Sequence, residues 1–292
     1  MTDFCREIEV IFGPLKDWEK NEGKSPLVRI LSDGTPNTLR VRAAVSKTML
    51  GVPNSSSVSI WNLSRETRNS ICQSQLSMKV YAGYKGQKKE LLFSGGVLSV
   101  VIEKSGADII TYLNGLDGQS NLLRSVVSQS FEQQVELKEV IKKIAASIEG
   151  VGVNPEDINV DGKTGYSGIV ASGNARAVLD KLGQQYGFNW FIENGSFKAV
   201  GDKKTFSNTV VLDGASRLKK VAPLLSGPAQ AQIGVDIQAM YVPGVSPANT
   251  IKVKSSVNPL MDGTYKIHNA NFDLDTRSNS WDMSLQCFTV GL

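Results

Sequence analysis

The sequence predicts a mainly β (α+β) protein in which two antiparallel barrel or sandwich regions flank a small α/β module. Three observations carry this. Period-two alternation of apolar and polar residues fills about residues 1–115 and again 206–292. Between them, over 116–205, the apolar period changes to that of helices. Gly, Pro, Asn and Ser punctuate the β runs at short, regular intervals, as in all-β domains.

In the first region Phe4, Ile8, Val10 and Phe12 share a face, with Glu7 and Glu9 on the other. Leu39, Val41, Ala43 and Val45 alternate with Arg40, Arg42 and Ala44. Val58 with Ile60, then Met78, Val80, Ala82 and Tyr84, continue the pattern. Leu91 with Phe93, Val97 to Ile102, and Ile109 to Leu113 complete about seven strands. Turns are expected at Asp33-Gly34, Pro53-Asn54-Ser55, Gly83, Gly86, Gly95-Gly96 and Ser105-Gly106. One short helix interrupts them. Ser64 opens SRETRNSI, where the hydroxyl caps an orphan N–H and Glu66 meets the positive helix end.

In the middle region Leu137, Val140, Ile141, Ile144 and Ile148 form one helical stripe, ended by Gly150 and Gly152. Ala175, Val178, Leu179, Leu182 and Tyr186 form a second, stopped by Gly187 in the left-handed conformation. FNWFIE and SFKAV then flank Asn194-Gly195, a two-residue hairpin turn. Pro155-Glu156-Asp157 reads as a helix start or loop tip. In the last region Ile233 to Tyr241, Ile251 with Val253, TYKIHNANFDLD and WDMSLQC read as strands. The expected boundaries are thus 1–115, 116–205 and 206–292.

The 292 residues are 41% hydrophobic and 21% charged, enough apolar material for a packed core. A net charge of +4 is too small for a dedicated nucleic-acid binder. The start, MTDFCREIEV, carries Asp3, Arg6, Glu7 and Glu9 and does not read as a secretory signal. No apolar run approaches the roughly 20 residues of a membrane span. Cys5, Cys72 and Cys287 are odd in number and far apart, which argues for reduced thiols rather than a disulfide or zinc framework.

Enzyme signatures are missing where they would be easiest to see. His268 is the single histidine, so HExxH and other two-histidine metal sites are excluded. No GxGxxG, no GxSxG and no Walker loop occurs. Gly162-Lys163-Thr164 imitates the end of a Walker loop, but Asp157 stands where its upstream glycine is required. Neither cofactor nor metal is expected. Asp273 and Asp275 fall on one face of a strand, as paired carboxylates would, but DLD before Thr276-Arg277 equally describes a strand ending in an Asx turn. Arg40 with Arg42, and Lys252 with Lys254, each place two cations on one strand face. Such pairs belong to a solvated or charge-guarded edge, or to a surface that meets a partner or polyanion.

Three segments carry a resemblance. VSIWNLSRETRNSI (Val58 to Ile71), GNARAVLDKLGQQYGFNWFIENGSFKAVG (Gly173 to Gly201) and DGTYKIHNANFDLDTRSNSWDMSLQC (Asp262 to Cys287) resemble, in this order, segments of the baseplate hub proteins of contractile-tailed bacteriophages. These are related to the N-terminal part of the type VI secretion spike protein and to late control protein D. The resemblance implies two similar antiparallel β-barrel tube domains with the intervening α/β module. It further implies a homotrimer with pseudo-six-fold symmetry, joining the hexameric tail tube to the trimeric central spike beside other baseplate proteins. DNA would pass its lumen without sequence readout. The expected place is the virion tail baseplate, after assembly in the host cytoplasm, and no catalysis is implied. Arg40, Arg42, Lys252 and Lys254 are then candidate lumen or intersubunit contacts. The competing expectation is a tail-associated peptidoglycan hydrolase using Asp273, Asp275 and Glu132. A type VI spike would add a C-terminal β-helix, which this sequence lacks up to Leu292.

Overall fold

A computed structural model describes residues 5–14, 28–72, 76–117, 124–165, 168–214, 217–224, 234–255 and 258–290. Phe4 and Ile233 lie outside them, so the strand positions expected for these two stand outside the described residues.

The first region supplies β1 (Arg6–Pro14), β2 (Val28–Ser32), β3 (Val41–Thr48), β4 (Ser55–Trp61), α1 (Arg65–Cys72), β5 (Leu76–Tyr84), β6 (Glu90–Ser105) and β7 (Asp108–Leu116). The last supplies β13 (Thr209–Asp213), β14 (Leu218–Leu224), β15 (Gly234–Met240), β16 (Thr250–Lys254), β17 (Gly263–Asp275) and β18 (Trp281–Thr289). Between them come β8 (Val126–Phe131), α2 (Leu137–Ala145), β9 (Gly152–Asn159), β10 (Ile169–Asn174), α3 (Ala175–Tyr186), β11 (Phe188–Glu193) and β12 (Ser196–Gly201).

The two outer regions have the same strand order. In the first, neighbours run β1-β5-β6-β7-β4-β3, with β2 added outside β1; in the last they run β13-β16-β17-β18-β15-β14. Paired in chain order, β1, β3, β4, β5, β6 and β7 correspond one by one to β13 through β18. The correspondence extends to a defect. The β6–β7 ladder slips between Val97 and Ser99, and the β17–β18 ladder slips between Ile267 and Asn269. Leu98 and His268 are thus equivalent bulges, which bend and twist their strands. One edge differs: β1 meets β5 antiparallel, whereas β13 meets β16 parallel.

The expectation of two closed barrels needs refinement. β3 pairs with β17, so both regions join into one thirteen-stranded sheet, and no closed barrel forms among the described residues. Alternating inward residues of both halves build one continuous core, from Ile8, Val80 and Phe93 to Ile237, Leu274 and Trp281. Burying each such side chain contributes roughly 1.5–3 kcal/mol.

The module has its own core. Leu137, Val140, Ile141 and Ile144 from α2 meet Leu179 and Leu182 from α3 and Trp190 and Phe197 from the β11–β12 hairpin. Asn174 caps α3 by accepting from the N–H groups of Arg176 and Ala177, and Gly187 ends it at φ 69°. Asn194 and Gly195 both take positive φ, 53° and 81°, as a type I′ hairpin turn requires. At α1, the Ser64 hydroxyl accepts from the Thr67 N–H, as its capping position demands.

Three local expectations are corrected. Gly95-Gly96 is not a turn, since β6 runs straight through it. A Cβ on Gly95 would come within 2.4 Å of the Leu116 carbonyl oxygen, so this glycine serves close strand packing. Helix α2 ends at Ala145 rather than near Gly150, although Ile148 stays in the core. Pro155-Glu156-Asp157 lies inside β9, where the pairing with β12 jumps from Val153 to Ile158. β9 is an edge strand, where a proline and a bulge are tolerated.

Candidate functional site: the junctions of the two sheets and the module

The β3–β17 ladder joins the first sheet to the last, with Phe272 opposite Val45 and Leu274 opposite Ala43. Val41, Ala43, Val45, Phe272 and Leu274 are all buried. Above them an aromatic cluster crosses from one half to the other. Trp281 meets Tyr84 and Tyr241 edge-on at centroid distances of 6.1 and 5.9 Å. The Tyr84 hydroxyl donates to the Tyr241 carbonyl oxygen at 2.7 Å.

The cations and acids singled out in the sequence meet on this seam. Arg40 forks onto Asp275, with Nη2 at 2.6 Å, and its guanidinium lies 4.2 Å from the Trp61 ring centre. Arg42 forks onto Asp273 at 2.8 and 3.0 Å. Burial pushes the Asp275 carboxyl up, but hydrogen bonds from Arg40 and from the Arg277 N–H outweigh it and hold the group below its ordinary value. The same carboxylate accepts from the Arg277 and Ser278 N–H groups, which is the Asx turn expected of DLD. Asp275 is thus held as an anion, the wrong state for a general acid. Glu132 is exposed in the module, just past β8, and is not on this seam. Lys252 and Lys254 are exposed on β16 and form no ion pair among the described residues.

The two seam pairs differ in environment. Asp275 is only 2% exposed at the side chain, while Asp273 is 41% exposed. Arg40→Ala is expected to destabilise the chain by about 2 kcal/mol, because it strands a buried carboxylate. Arg42→Ala is expected to change stability by less than about 1 kcal/mol. Urea unfolding of the two variants checks the difference.

A second junction seats the module on both sheets. Lys47 Nζ lies 2.7 Å from Glu193 Oε1, and both side chains are about 5% exposed or less. Lys198 reaches Glu193 Oε2 at 2.8 Å, and the Ser246 hydroxyl donates to the same carboxylate. One glutamate of the module is thereby held by β3, by its own hairpin and by the loop after β15. Burial raises the Glu193 pKa, but the two lysines prevail and bring it to about 2. Asn54 donates to the Ile192 carbonyl oxygen, and the N–H groups of Asn194 and Gly195 donate to Asp117. Burial raises Asp117 to about 6 in spite of those bonds. Gly51 lies so close to Trp190 that a Cβ would fall 2.5 Å from the indole. Met49, Phe191, Val200 and Ala248 fill the space between.

Composition and periodicity gave no hint of this Lys47–Glu193–Lys198 cluster, since its members lie 146 and 5 residues apart. Among the described residues no group of three or more His, Cys, Asp or Glu is placed to hold a metal. The described helices include none long and apolar enough to cross a membrane.

The architecture has solved counterparts. A tail protein from Neisseria meningitidis MC58 superposes with a TM-score of 0.64 at 13% identity, covering 97% of this chain and 96% of its own. The 43 kDa tail protein of prophage MuSo2 from Shewanella oneidensis gives 0.62 at 12% identity, covering 96% and 97%. An Escherichia coli component of the type VI secretion system, described as structurally similar to the T4 tail proteins gp27 and gp5, gives 0.60 at 10% identity, covering 88% and 75%. No curated protein matches by sequence. Two same-order sheets joined edge to edge, with a docked α/β module, are thus the fold that this chain shares with those tail proteins. The chain belongs to the baseplate hub gp41 family, whose model matches residues 28–287.

Proposed function

We propose that three copies of this chain form a ring of pseudo-six-fold symmetry, with the hexameric tail tube on one side and the trimeric central spike on the other. The observation that carries this is the shared strand order of residues 6–116 and 209–289. A chain holding two equivalent sheets lets a three-fold assembly offer six equivalent surfaces, which resolves the symmetry mismatch between a hexamer and a trimer.

The domain boundaries we assign are 1–115 and 206–292 for the tube domains and 116–205 for the module. The ring leaves a channel through which DNA passes without sequence readout. Lys252 and Lys254 are its candidate lumen or intersubunit contacts. Arg40 and Arg42, already engaged by Asp275 and Asp273, act within the chain. The subunit assembles in the host cytoplasm, joins the virion baseplate and has no catalytic role. Cofactors have no part in this reading.

Sedimentation of the purified chain tests the assembly. The expected species has about three times the mass of the 31.6 kDa chain. A monomer that persists at high concentration and yields no ring in particle images when mixed with its spike would overturn the proposal.

A further inference from the structure

The two equivalent sheets are not equally satisfied at their edges. In β17 the first part pairs with β16, and the second part, from Asn269 to Asp275, pairs with β3. In its counterpart β6 the first part pairs with β5, ending at Gly96 opposite Ser77. Beyond Gly96 the other edge of β6 has no partner strand among the described residues. Likewise β3 lies between β4 and β17, whereas its counterpart β14 pairs, among the described residues, with β15 alone. Each sheet thus has a donor strand and an acceptor edge, and among the described residues only one such pair is joined.

Burial follows the same division. At the filled seam Phe272 is 2% exposed and Val45 is 2% exposed. Aligned on the bulges Leu98 and His268, the position equivalent to Phe272 is Ile102, which is 44% exposed, beside Val101 at 52%. Aligned through the β4 and β15 ladders, Val45 corresponds to Pro223, which is exposed, and Ala43 to Val221, which is half-buried. The Asn62 N–H donates to the Ile109 carbonyl oxygen, so odd-numbered β7 residues face β4 and even-numbered ones face β6. The backbone groups of Ile102 and Lys104 therefore point out of the sheet, free to pair.

We infer that β14 of one copy adds antiparallel to the free edge of β6 of the next, repeating the β3–β17 seam between chains. This rests on the trimeric reading above and specifies its interface. Transferring the register gives Ile102 opposite Pro223, Glu103 opposite Ala222, Lys104 opposite Val221 and Ser105 opposite Lys220 of the neighbouring copy. Pro223 accepts but cannot donate there, so the ladder loses one bond at that point. The charges also correspond. Glu103 takes the place of Asp273, and Lys220 that of Arg42, whose ion pair spans the internal seam at 2.8 Å. Glu103 and Lys220 are exposed and form no ion pair among the described residues. The contact runs head to tail, each copy offering β14 and receiving on β6, so it must close or polymerise, and three copies close six sheets into a ring.

Cysteine trapping tests the register. Glu103→Cys and Ala222→Cys are placed together in a chain carrying Cys5→Ser and Cys72→Ser, which removes the two exposed thiols. Glu103 and Ala222 would be directly opposed across a non-hydrogen-bonded pair, the spacing at which a disulfide forms. Mild oxidation is expected to give covalent dimers and a closed covalent trimer. Glu103→Cys with Val221→Cys, on the opposite face, is expected to give neither. A chain that sediments as a trimer yet does not cross-link overturns this interface and leaves the trimeric hub standing; a chain that stays monomeric and unlinked, and forms no ring when mixed with its spike, overturns both. Charge exchange gives an independent reading. Glu103→Lys is expected to weaken the trimer roughly tenfold through like-charge contact, and adding Lys220→Glu to restore it. Equal weakening in the single and double variants counts against the pairing.

Discussion

Trp281→Ala is expected to destabilise the chain by about 3–5 kcal/mol, the range for removing a fully buried aromatic side chain. Trp281 is 0% exposed and touches rings from both halves of the molecule, Tyr84 on β5 and Tyr241 just after β15. Its loss therefore opens a cavity at the seam rather than inside one sheet. Arg6 also loses its place over the indole, 5.5 Å from the ring centre. Tyr84 is held opposite Arg6 by the β1–β5 ladder and by its hydroxyl on the Tyr241 carbonyl oxygen, which limits how far these rings can move into the gap and puts the effect in the upper part of that range. Equilibrium unfolding in urea checks it. A loss under about 1 kcal/mol would mean that the two halves do not depend on this contact. Trp281→Phe keeps much of the volume and is expected to lose less than half as much.

Glu193→Gln is the second large effect, expected at about 3 kcal/mol near neutral pH, and its sign with pH is distinctive. The carboxyl sits at about 2 in the folded chain against an ordinary value of 4.5. A lowered carboxylate pKa stabilises the fold above the unfolded value, and this contribution is lost as pH falls through 4.5 toward 2. Unfolding free energies measured from pH 7 down to about 3 should show the gap between parent and variant closing below pH 4.5. A gap constant across that range would mean that Glu193 is not held by charge. Asp117, raised to about 6 from 3.8, acts with the opposite sign: its contribution is full below 3.8 and is lost as pH rises through 6. Repulsion from Glu193 is one of the lesser causes of that raising, after burial, so parent and variant share most of this background and not all of it. Removing Glu193 also leaves Lys47, 4% exposed, beside Lys198 without an anion, which is why a single charge weighs so much.

Local chemistry made much of the fold legible. Ser64 capped its helix, Gly187 ended another in the left-handed region, and Asn194-Gly195 turned its hairpin, because each acts through backbone groups a few residues away. The same locality explains the misreadings. Gly95 looks like a turn residue until the Leu116 carbonyl is seen against it, and Pro155 looks like a helix start or loop tip until β9 proves to be an edge strand that contains it. Arg40, Arg42, Asp273 and Asp275 stood out as paired charges, but their partners could not be chosen from sequence. Arg40 and Asp275 are 235 residues apart, and alternation assigns a face without assigning a neighbour.

By itself the sequence determined the β–α/β–β plan and the positions of caps and hairpins. These depend on residue type and short spacing. Only the tertiary structure decided that β3 crosses to β17, that the two sheets share one strand order, and that Glu193 anchors the module through Lys47. The physical reason is that strand pairing and buried charge are non-local. A ladder edge is complementary to many strands until the packing of the whole chain leaves room for one.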